Sequence, residues 1–337
     1  MIPNADGGDA AIRVIDERYQ KNAKTYFINK IIHARKSIDL TMYQLDDDEI
    51  ILALIGARTN GVVVRIITEL KNAYSHEKNL EAQTKKAIAI EKLSRAGIEL
   101  RGLPKYIFEK SPKQSQVHSK LLVVDEECAV IMSCNWDEPT LRKTRDFGVV
   151  FDEKEIIRML RVIFDSDWSE IPLKQEDISL FNKIPATNIP QLIVGPDDNQ
   201  REIFINLCKL AKKSIRIYNQ SFNDEKFVQN LCKLIKPELK VELLMLEYPF
   251  SSTKNANFVY QEMLKQSGGL VYFNDERYIH AKVIIVDDSY AYIGSCNIYE
   301  PSFLFNRELG WITTNKKIIE QLIVSFEKDK LFCHNMP

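Results

Sequence analysis

The sequence predicts an α/β protein built from two similar lobes, and three observations predict it. A stretch near the start of the chain recurs near its middle. Strand-like apolar runs alternate with amphipathic stretches in both halves, the pattern of α/β layers. A set of polar residues returns at identical spacing in each half. The 337 residues are 45% hydrophobic and 28% charged, a balance that builds a sizeable core and rules out disordered, collagen-like and disulfide-stapled chains.

The repeat sets the order of elements. Residues 34–49 read ARKSIDLTMYQLDDDE and residues 211–225 read AKKSIRIYNQSFNDE. Each passes from a basic helix end through a short β-rich stretch to an acidic helix start. A strand-like run follows in each half, at 62–68 and 240–246, and then a helical stretch near 75–96 and 254–267. Next comes a strand pair, HSKLLVVD with CAVIMS and HAKVIIVD with YAYIGS. A further strand (147–151; 309–313) and a helix (153–168; 316–328) close each half. Pro172, Pro185 and Pro190 interrupt the pattern, so residues 169–197 read as a linker. The predicted division is a frayed terminus at 1–10, lobe 1 at 11–168, the linker at 169–197 and lobe 2 at 198–337.

Charge and cysteine usage narrow the class. The 46 basic and 47 acidic residues are spread evenly, so no basic half advertises nucleic acid. Six scattered cysteines form no CxxC pair and read as reduced thiols. The opening MIPNADGGDA carries two aspartates and no base, the wrong sign for a secretory signal. The longest uncharged run, residues 184–196, holds 13 residues, whereas a bilayer span needs about 20. The expectation is a cytoplasmic protein, or one exported without a signal peptide, with no transmembrane segment.

The chemistry sits in the repeated constellation. It comprises His118, Lys120, Asp125, Ser133, Asn135 and Asp146 in the first half. In the second it comprises His280, Lys282, Asp287, Ser295, Asn297 and Glu308. The offsets from the histidine are 2, 7, 15, 17 and 28 in both, and the chain has only five histidines. Side chains two apart on a strand share a face, so each histidine projects with its lysine and each serine with its asparagine. An ammonium, a hydroxyl and an amide converging on a histidine make a poor metal site and a good anion site. The histidine is the group suited to attack, or to move protons, near pH 7. The acids 28 positions on are expected to hold the imidazoles in their working tautomer. Asp125 and Asp287 stand an odd number of residues from their histidines and are expected to face away, as structural acids.

These residues resemble the paired HxKxxxxD signature of the phospholipase D superfamily, over roughly residues 25–330. The resemblance implies two lobes forming a pseudo-dimer with one active site at their interface, active as a monomer and without metal or cofactor. It implies phosphodiester cleavage through a phosphohistidine, with His118 and His280 as nucleophile and general acid/base. Lys120, Lys282, Asn135 and Asn297 would bind the phosphoryl oxygens, with Ser133 and Ser295 in support, and Asp146 and Glu308 would orient the histidines. The chain departs from the pattern twice. Met132 stands where the family usually has the glycine kept as Gly294, which predicts a tighter or displaced phosphate cradle in lobe 1. Asp146 is one methylene shorter than Glu308.

Other residues are given plainer roles. His33, His76 and His334 are read as structural, Trp168 and Trp311 as core, and Trp136 as a candidate cleft wall. The acidic run 46–49 is read as favourable charge at a helix start rather than a metal site. Two substrate classes follow from the resemblance. The continuation NIYEPSFLFNRELG resembles the bacterial phosphatidyltransferase and cardiolipin synthase pattern. It favours phospholipid or a membrane surface as substrate, for head-group hydrolysis or transfer. The loop 103–117, with Pro104, Tyr106, Ile107, Phe108 and Pro112, is expected to admit an acyl chain or touch a membrane, or else to act as a lid. The same loop carries Lys105, Lys110 and Lys113. Aromatics beside lysines suit a nucleic-acid strand, so a nuclease is the alternative, and a phosphate-binding effector without turnover the third reading.

Overall fold

The computed structural model describes residues 12–15, 17–70, 80–173, 184, 187, 189–197, 199–249 and 256–336, with the backbone alone at 12–22 and 80–83. Lobe 1 runs β1 (Ile12–Ile15), α1 (Glu17–Ile32), β2 (Ser37–Met42), α2 (Asp48–Thr59), β3 (Val63–Thr68), α3 (Leu80–Arg95), β4 (Glu99–Arg101) and α4 (Lys105–Phe108). It continues through β5 (Leu121–Val124), β6 (Cys128–Met132), α5 (Glu138–Lys143), β7 (Thr144–Phe151) and α6 (Lys154–Ser169). Lobe 2 runs β8 (Leu192–Gly195), α7 (Gln200–Lys209), β9 (Ser214–Tyr218), α8 (Glu225–Leu234), β10 (Lys240–Met245), α9 (Phe258–Gln266), β11 (Leu270–Asn274) and β12 (Tyr278–Ile279). It ends with β13 (Val283–Val286), β14 (Tyr290–Gly294), α10 (Glu300–Leu304), β15 (Glu308–Thr313), α11 (Lys316–Lys330) and β16 (Cys333–Asn335).

Each lobe is organised around one mixed sheet. The strand order is β1-β7-β6-β5-β2-β3-β4 in lobe 1 and β16-β11-β10-β9-β13-β14-β15-β8 in lobe 2. β8 lies inside the segment read as linker. It pairs antiparallel with β15, Leu192 opposite Trp311 and Gly195 opposite Glu308, so lobe 2 begins earlier than its proline pattern suggested. Pro190 and Pro196 flank this edge strand without interrupting it, the placement a sheet tolerates. The predicted frayed terminus, residues 1–10, and linker positions 174–183 lie outside the described residues.

The apolar runs LLVV and VIIV are the central strands, and their pleat explains why they do not alternate with polar residues. Leu121 and Val123 face one core and Leu122 and Val124 another. Val283 and Ile285 likewise face the shared core, while Ile284 and Val286 face the outer layer of lobe 2. A strand buried on both faces reads as a continuous hydrophobic run. The shared core takes residues from both sheets together with Leu160 and Phe164 of α6 and Leu322 and Phe326 of α11. The two lobes therefore bury their inner faces against each other, and helices cover their outer faces.

The lobes are also stitched by backbone. β12 of lobe 2 pairs parallel with β7 of lobe 1, Ile279 opposite Arg145. Val117 of lobe 1 forms the matching parallel bridge with Arg307. The strand entering each histidine is thus laid against the acid-bearing strand of the opposite lobe.

Candidate active site

His118 and His280 are buried, and both line one cleft of about 700 Å³ with Tyr43, Gln116, Asn135, Gln220, Tyr278 and Asn297. The backbone N–H of His118 donates to the Arg307 carbonyl at 3.0 Å, and that of His280 to the Arg145 carbonyl at 3.1 Å. His118 Nδ1 lies 2.9 Å from both carboxylate oxygens of Glu308. His280 Nδ1 lies 2.9 Å from Asp146 Oδ1. Each histidine is therefore held by the acid of the other half, not by the acid 28 positions on in its own half. The equal offsets had pointed to the wrong partner, because the lobes face each other and exchange their carboxylates.

The serines also differ from expectation. Ser133 Oγ donates to Asp146 Oδ1 at 2.6 Å and accepts from the Phe147 N–H at 3.0 Å. Ser295 Oγ donates to Glu308 and accepts from the Leu309 N–H at 3.0 Å. Both hydroxyls are fully buried beneath the acids, which corrects the phosphate-binding role given to them. Thr144 adds a hydroxyl to Asp146, and Ser302 adds one to Glu308 at 2.7 Å. The longer glutamate thus gathers its own set of donors.

Electrostatics follow from burial. Burial pulls His118 down to about 4 against the opposing pull of Glu308, and it lowers His280 in the same way. Burial alone would raise Glu308 and Asp146, but the imidazoles, the lysines and the serine hydroxyls outweigh it and hold both below the ordinary carboxylate range. With Nδ1–H donated to a carboxylate, the Nε2 lone pair is left available. Lys120 and Lys282 are fully buried, each ammonium donating to the carbonyl of its own histidine. Burial lowers them to about 7 and about 8. The side-chain oxygens of Asn135 and Asn297 are buried without a hydrogen-bond partner at the cleft. An unsatisfied buried acceptor is costly; turned the other way, each carboxamide would present its N–H groups to the cleft.

Asp125 and Asp287 face away from the cleft and cap loops. Asp125 accepts the backbone N–H groups of Arg35, Lys36 and Ser37 at 2.7–2.9 Å. Asp287 does the same for Lys212, Lys213 and Ser214 at 2.8–3.0 Å. Both adopt positive φ, 55° and 50°, which an aspartate in a tight turn tolerates.

Three other expectations change. Trp136 is core rather than cleft wall, fully buried and packed against Phe27 at 5.1 Å. Met132 faces the lobe 1 core, so it displaces nothing in the cleft. Gly294 is required instead by its close neighbours, since a Cβ there would press on the Tyr292 hydroxyl and lie 2.6 Å from both Gly310 Cα and the Leu309 carbonyl oxygen. Lobe 1 has Val130 in place of Tyr292 and so has room for methionine. In the loop 103–117, Pro104 and Ile107 are buried, Tyr106 and Phe108 are half-buried, and Pro112 is exposed. Tyr106 Oη donates to Asp167 at 2.7 Å, while Lys105 and Lys110 are paired with Glu170 and Asp197 at 3.9 and 3.7 Å. The acidic run 46–49 begins α2, with Asp47 capping the Ile50 N–H at 3.1 Å.

The sequence reading missed one pair of contacts. Arg145 donates to Asp329 at 2.5 and 2.6 Å, and Arg307 donates to Asp167 at 2.8 Å through Nε. The signal was present: both halves carry an arginine immediately before the acid and an aspartate 21 residues after it. Among the described residues, no group of three or more His, Cys, Asp or Glu side chains could hold a metal ion. Nor is any described helix long and apolar enough to cross a membrane.

Two internally repeated α/β lobes, with two histidine–carboxylate pairs each drawn from both lobes and meeting at one polar cleft, define the phospholipase D superfamily of enzymes. The family described as "Cardiolipin synthase, PLD-like domain" matches residues 27–168 and 204–330, and the chain belongs to it. It is 25% identical to a cardiolipin synthase of Clostridium perfringens over 335 residues, covering 91% of this chain and 68% of that one. It is 25% identical to cardiolipin synthase 2 of Bacillus cereus, covering 90% of this chain and 61% of that one. In fold it is similar to the phosphatidylserine synthase of Haemophilus influenzae, with TM-score 0.69 and 16% identity over 96% of this chain and 87% of that one. The polyphosphate kinase of Porphyromonas gingivalis is also similar, with TM-score 0.64 and 15% identity over 94% of this chain and 49% of that one. The resemblance carried by the paired motifs, and the two-lobed α/β class, both hold.

Proposed function

We propose that the protein transfers a phosphatidyl group between alcohols, or to water, through a phosphohistidine. The observation that carries this reading is the pair of crossed dyads, His118–Glu308 and His280–Asp146, opening on one cleft. In the first step the Nε2 lone pair of one histidine attacks phosphorus, and the P–O bond to the head-group alcohol breaks. The second histidine, as imidazolium, gives its Nε2 proton to the departing oxygen. It then takes a proton from the incoming alcohol or water, whose oxygen attacks phosphorus and breaks the P–N bond. The carboxylates steady the imidazolium forms. Lys120, Lys282, Asn135 and Asn297 hold the phosphoryl oxygens, and the binding of an anion favours the charged state of the lysines. The site is complete within one chain, so the active form is a monomer.

Phospholipid is the substrate class this cleft fits. Beside the two histidines, its walls are asparagine, glutamine, serine, threonine and tyrosine with Lys143 and Pro139, suited to a hydroxylated head group and its phosphate rather than to acyl chains, which would stay in the bilayer. The cardiolipin synthase relatives support the same class. The test is an assay in EDTA with mixed phospholipid vesicles and ethanol, read by mass spectrometry. Phosphatidylethanol or phosphatidic acid is expected, and neither from His280→Ala. No lipid product, with cleavage of labelled single-stranded DNA instead, would establish the nuclease.

A further inference from the structure

We propose that Arg307 and Arg145 are positioning residues, each fixing the pose of the histidine in the opposite lobe. Three contacts converge at each arginine. The backbone carbonyl of Arg307 accepts the N–H groups of His118 and Ser119 at 3.0 and 2.7 Å. The next residue, Glu308, holds the His118 imidazole. The guanidinium grips Asp167 at the end of α6 and also donates to Asp197 at 2.6 Å, the Gly195 carbonyl at 3.0 Å and Tyr106 Oη at 2.8 Å. Arg145 repeats the design: its carbonyl accepts from His280, Asp146 follows it, and its guanidinium grips Asp329 of α11, which also accepts from Tyr218 Oη at 2.7 Å.

The four charged groups are buried, and a two-pronged guanidinium–carboxylate pair fixes direction as well as distance. Each pair spans the lobe interface: Arg307 of lobe 2 with Asp167 of lobe 1, and Arg145 of lobe 1 with Asp329 of lobe 2. The acid strand is thereby pinned to the lobe that carries the histidine it must meet. A small slide of one lobe would separate imidazole from carboxylate while leaving each sheet whole. Neither arginine lines the cleft, so the positioning runs through their backbone groups, which for Arg307 include an N–H donated to the Gln116 carbonyl at 2.9 Å, and through the acids.

Removing one partner strands a buried charge and endangers folding, so the test replaces both by apolar groups: Arg307→Met with Asp167→Leu, and Arg145→Met with Asp329→Leu. The first readout is the imidazole 15N spectrum of histidine-labelled protein, which reports tautomer and pose without turnover. The first double variant should move the His118 signals from the Nδ1–H form toward a mixture and leave those of His280, and the second should do the reverse. Where a double variant does not fold, Arg307→Lys and Arg145→Lys serve, with the same histidine shifted less. The second readout rests on the proposed phosphatidyl transfer: kcat should fall roughly 10- to 100-fold with KM nearly constant, the effect of a slight misplacement. Unchanged histidine spectra, or equal disturbance of both histidines by either variant, would overturn the positioning role. Shifted spectra in a protein without lipid activity would leave the positioning intact and count against the proposed substrate.

Discussion

The two halves keep the same chemistry and differ in how they support it. His118 meets both oxygens of Glu308, while His280 meets one oxygen of Asp146. Glu308 is further held by Ser295, Ser302 and, at 3.5 Å, Asn306, and Asp146 by Ser133 and Thr144. Tyr43 stands edge-on to His118 at 5.3 Å, whereas the matching strand end in lobe 2 offers Gln220, tied to Tyr278 Oη at 2.9 Å. Under the proposed mechanism the reactive groups are constrained by the one phosphate they would share. Their supports answer only to local packing, and so they diverge.

The largest test of this view is to remove either histidine. His118→Ala and His280→Ala should each lower kcat by about 10⁴-fold or more, since groups that act as one unit fail together, with an unchanged circular dichroism spectrum. One fully active single variant would break the equivalence of the dyads. The acids come next. Glu308→Gln and Asp146→Asn keep the size but lose the charge that holds the tautomer, and a loss of roughly 10²- to 10⁴-fold in kcat is expected. Glu308→Asp should cost more than Asp146→Glu if the extra methylene of Glu308 is what reaches its larger set of partners.

The constellation itself was legible because two copies at equal offsets exclude chance, and strand parity separated Asp125 and Asp287 from the cleft. The crossing of the dyads was not legible. A strand's two-residue period tells which side chains share a face, not which sheet lies opposite. An acid 28 residues from two histidines in related lobes is compatible with either pairing. Trp136 and Met132 failed for a related reason: each adjoins the motif in sequence but points to the opposite face, where Phe27 and the lobe 1 core receive it. The arginine–aspartate pairs were visible as repeated offsets, but their meaning depends on the lobe interface.

The pH profile tests the lysines and histidines together. With His118, drawn down to about 4 by burial, as the attacking histidine, kcat/KM should fall as pH drops through that value; as the proton donor it would instead lose activity above it. Lys120 and Lys282, lowered by burial to about 7 and about 8, are charged below those values. Capture of an anionic phosphate should weaken as pH rises through 7–8, in the free-enzyme parameter kcat/KM rather than in kcat. An alkaline limb that stays flat to pH 10 would show that the buried ammonium groups keep their charge unaided.

Smaller effects compare packing between the lobes. Gly294→Met should destabilise by about 1–3 kcal/mol through overpacking against Tyr292, measured by denaturant unfolding. Adding Tyr292→Val imports the lobe 1 pairing of Val130 with Met132 and should recover the part of the loss that the tyrosine causes, leaving the part due to the Gly310 and Leu309 backbone. Full stability of the single variant would remove the tyrosine as the reason for this glycine.

The smallest difference is expected at the loop caps. Asp125→Asn and Asp287→Asn each weaken a carboxylate that accepts three backbone N–H groups, a loss of about 1–3 kcal/mol. Burial would raise both acids, but the backbone donors outweigh it and hold each below its usual 3.8. A depressed folded pKa contributes stability that is complete above the unfolded value and is lost as pH falls through the folded one. The gap in stability between wild type and either variant should therefore be constant above pH 5 or so and shrink below about 4. Because the two caps match donor for donor, the two variants should behave alike within error. A marked inequality would mean that the lobes differ in the loops that begin their central strands as well as in the supports of their dyads.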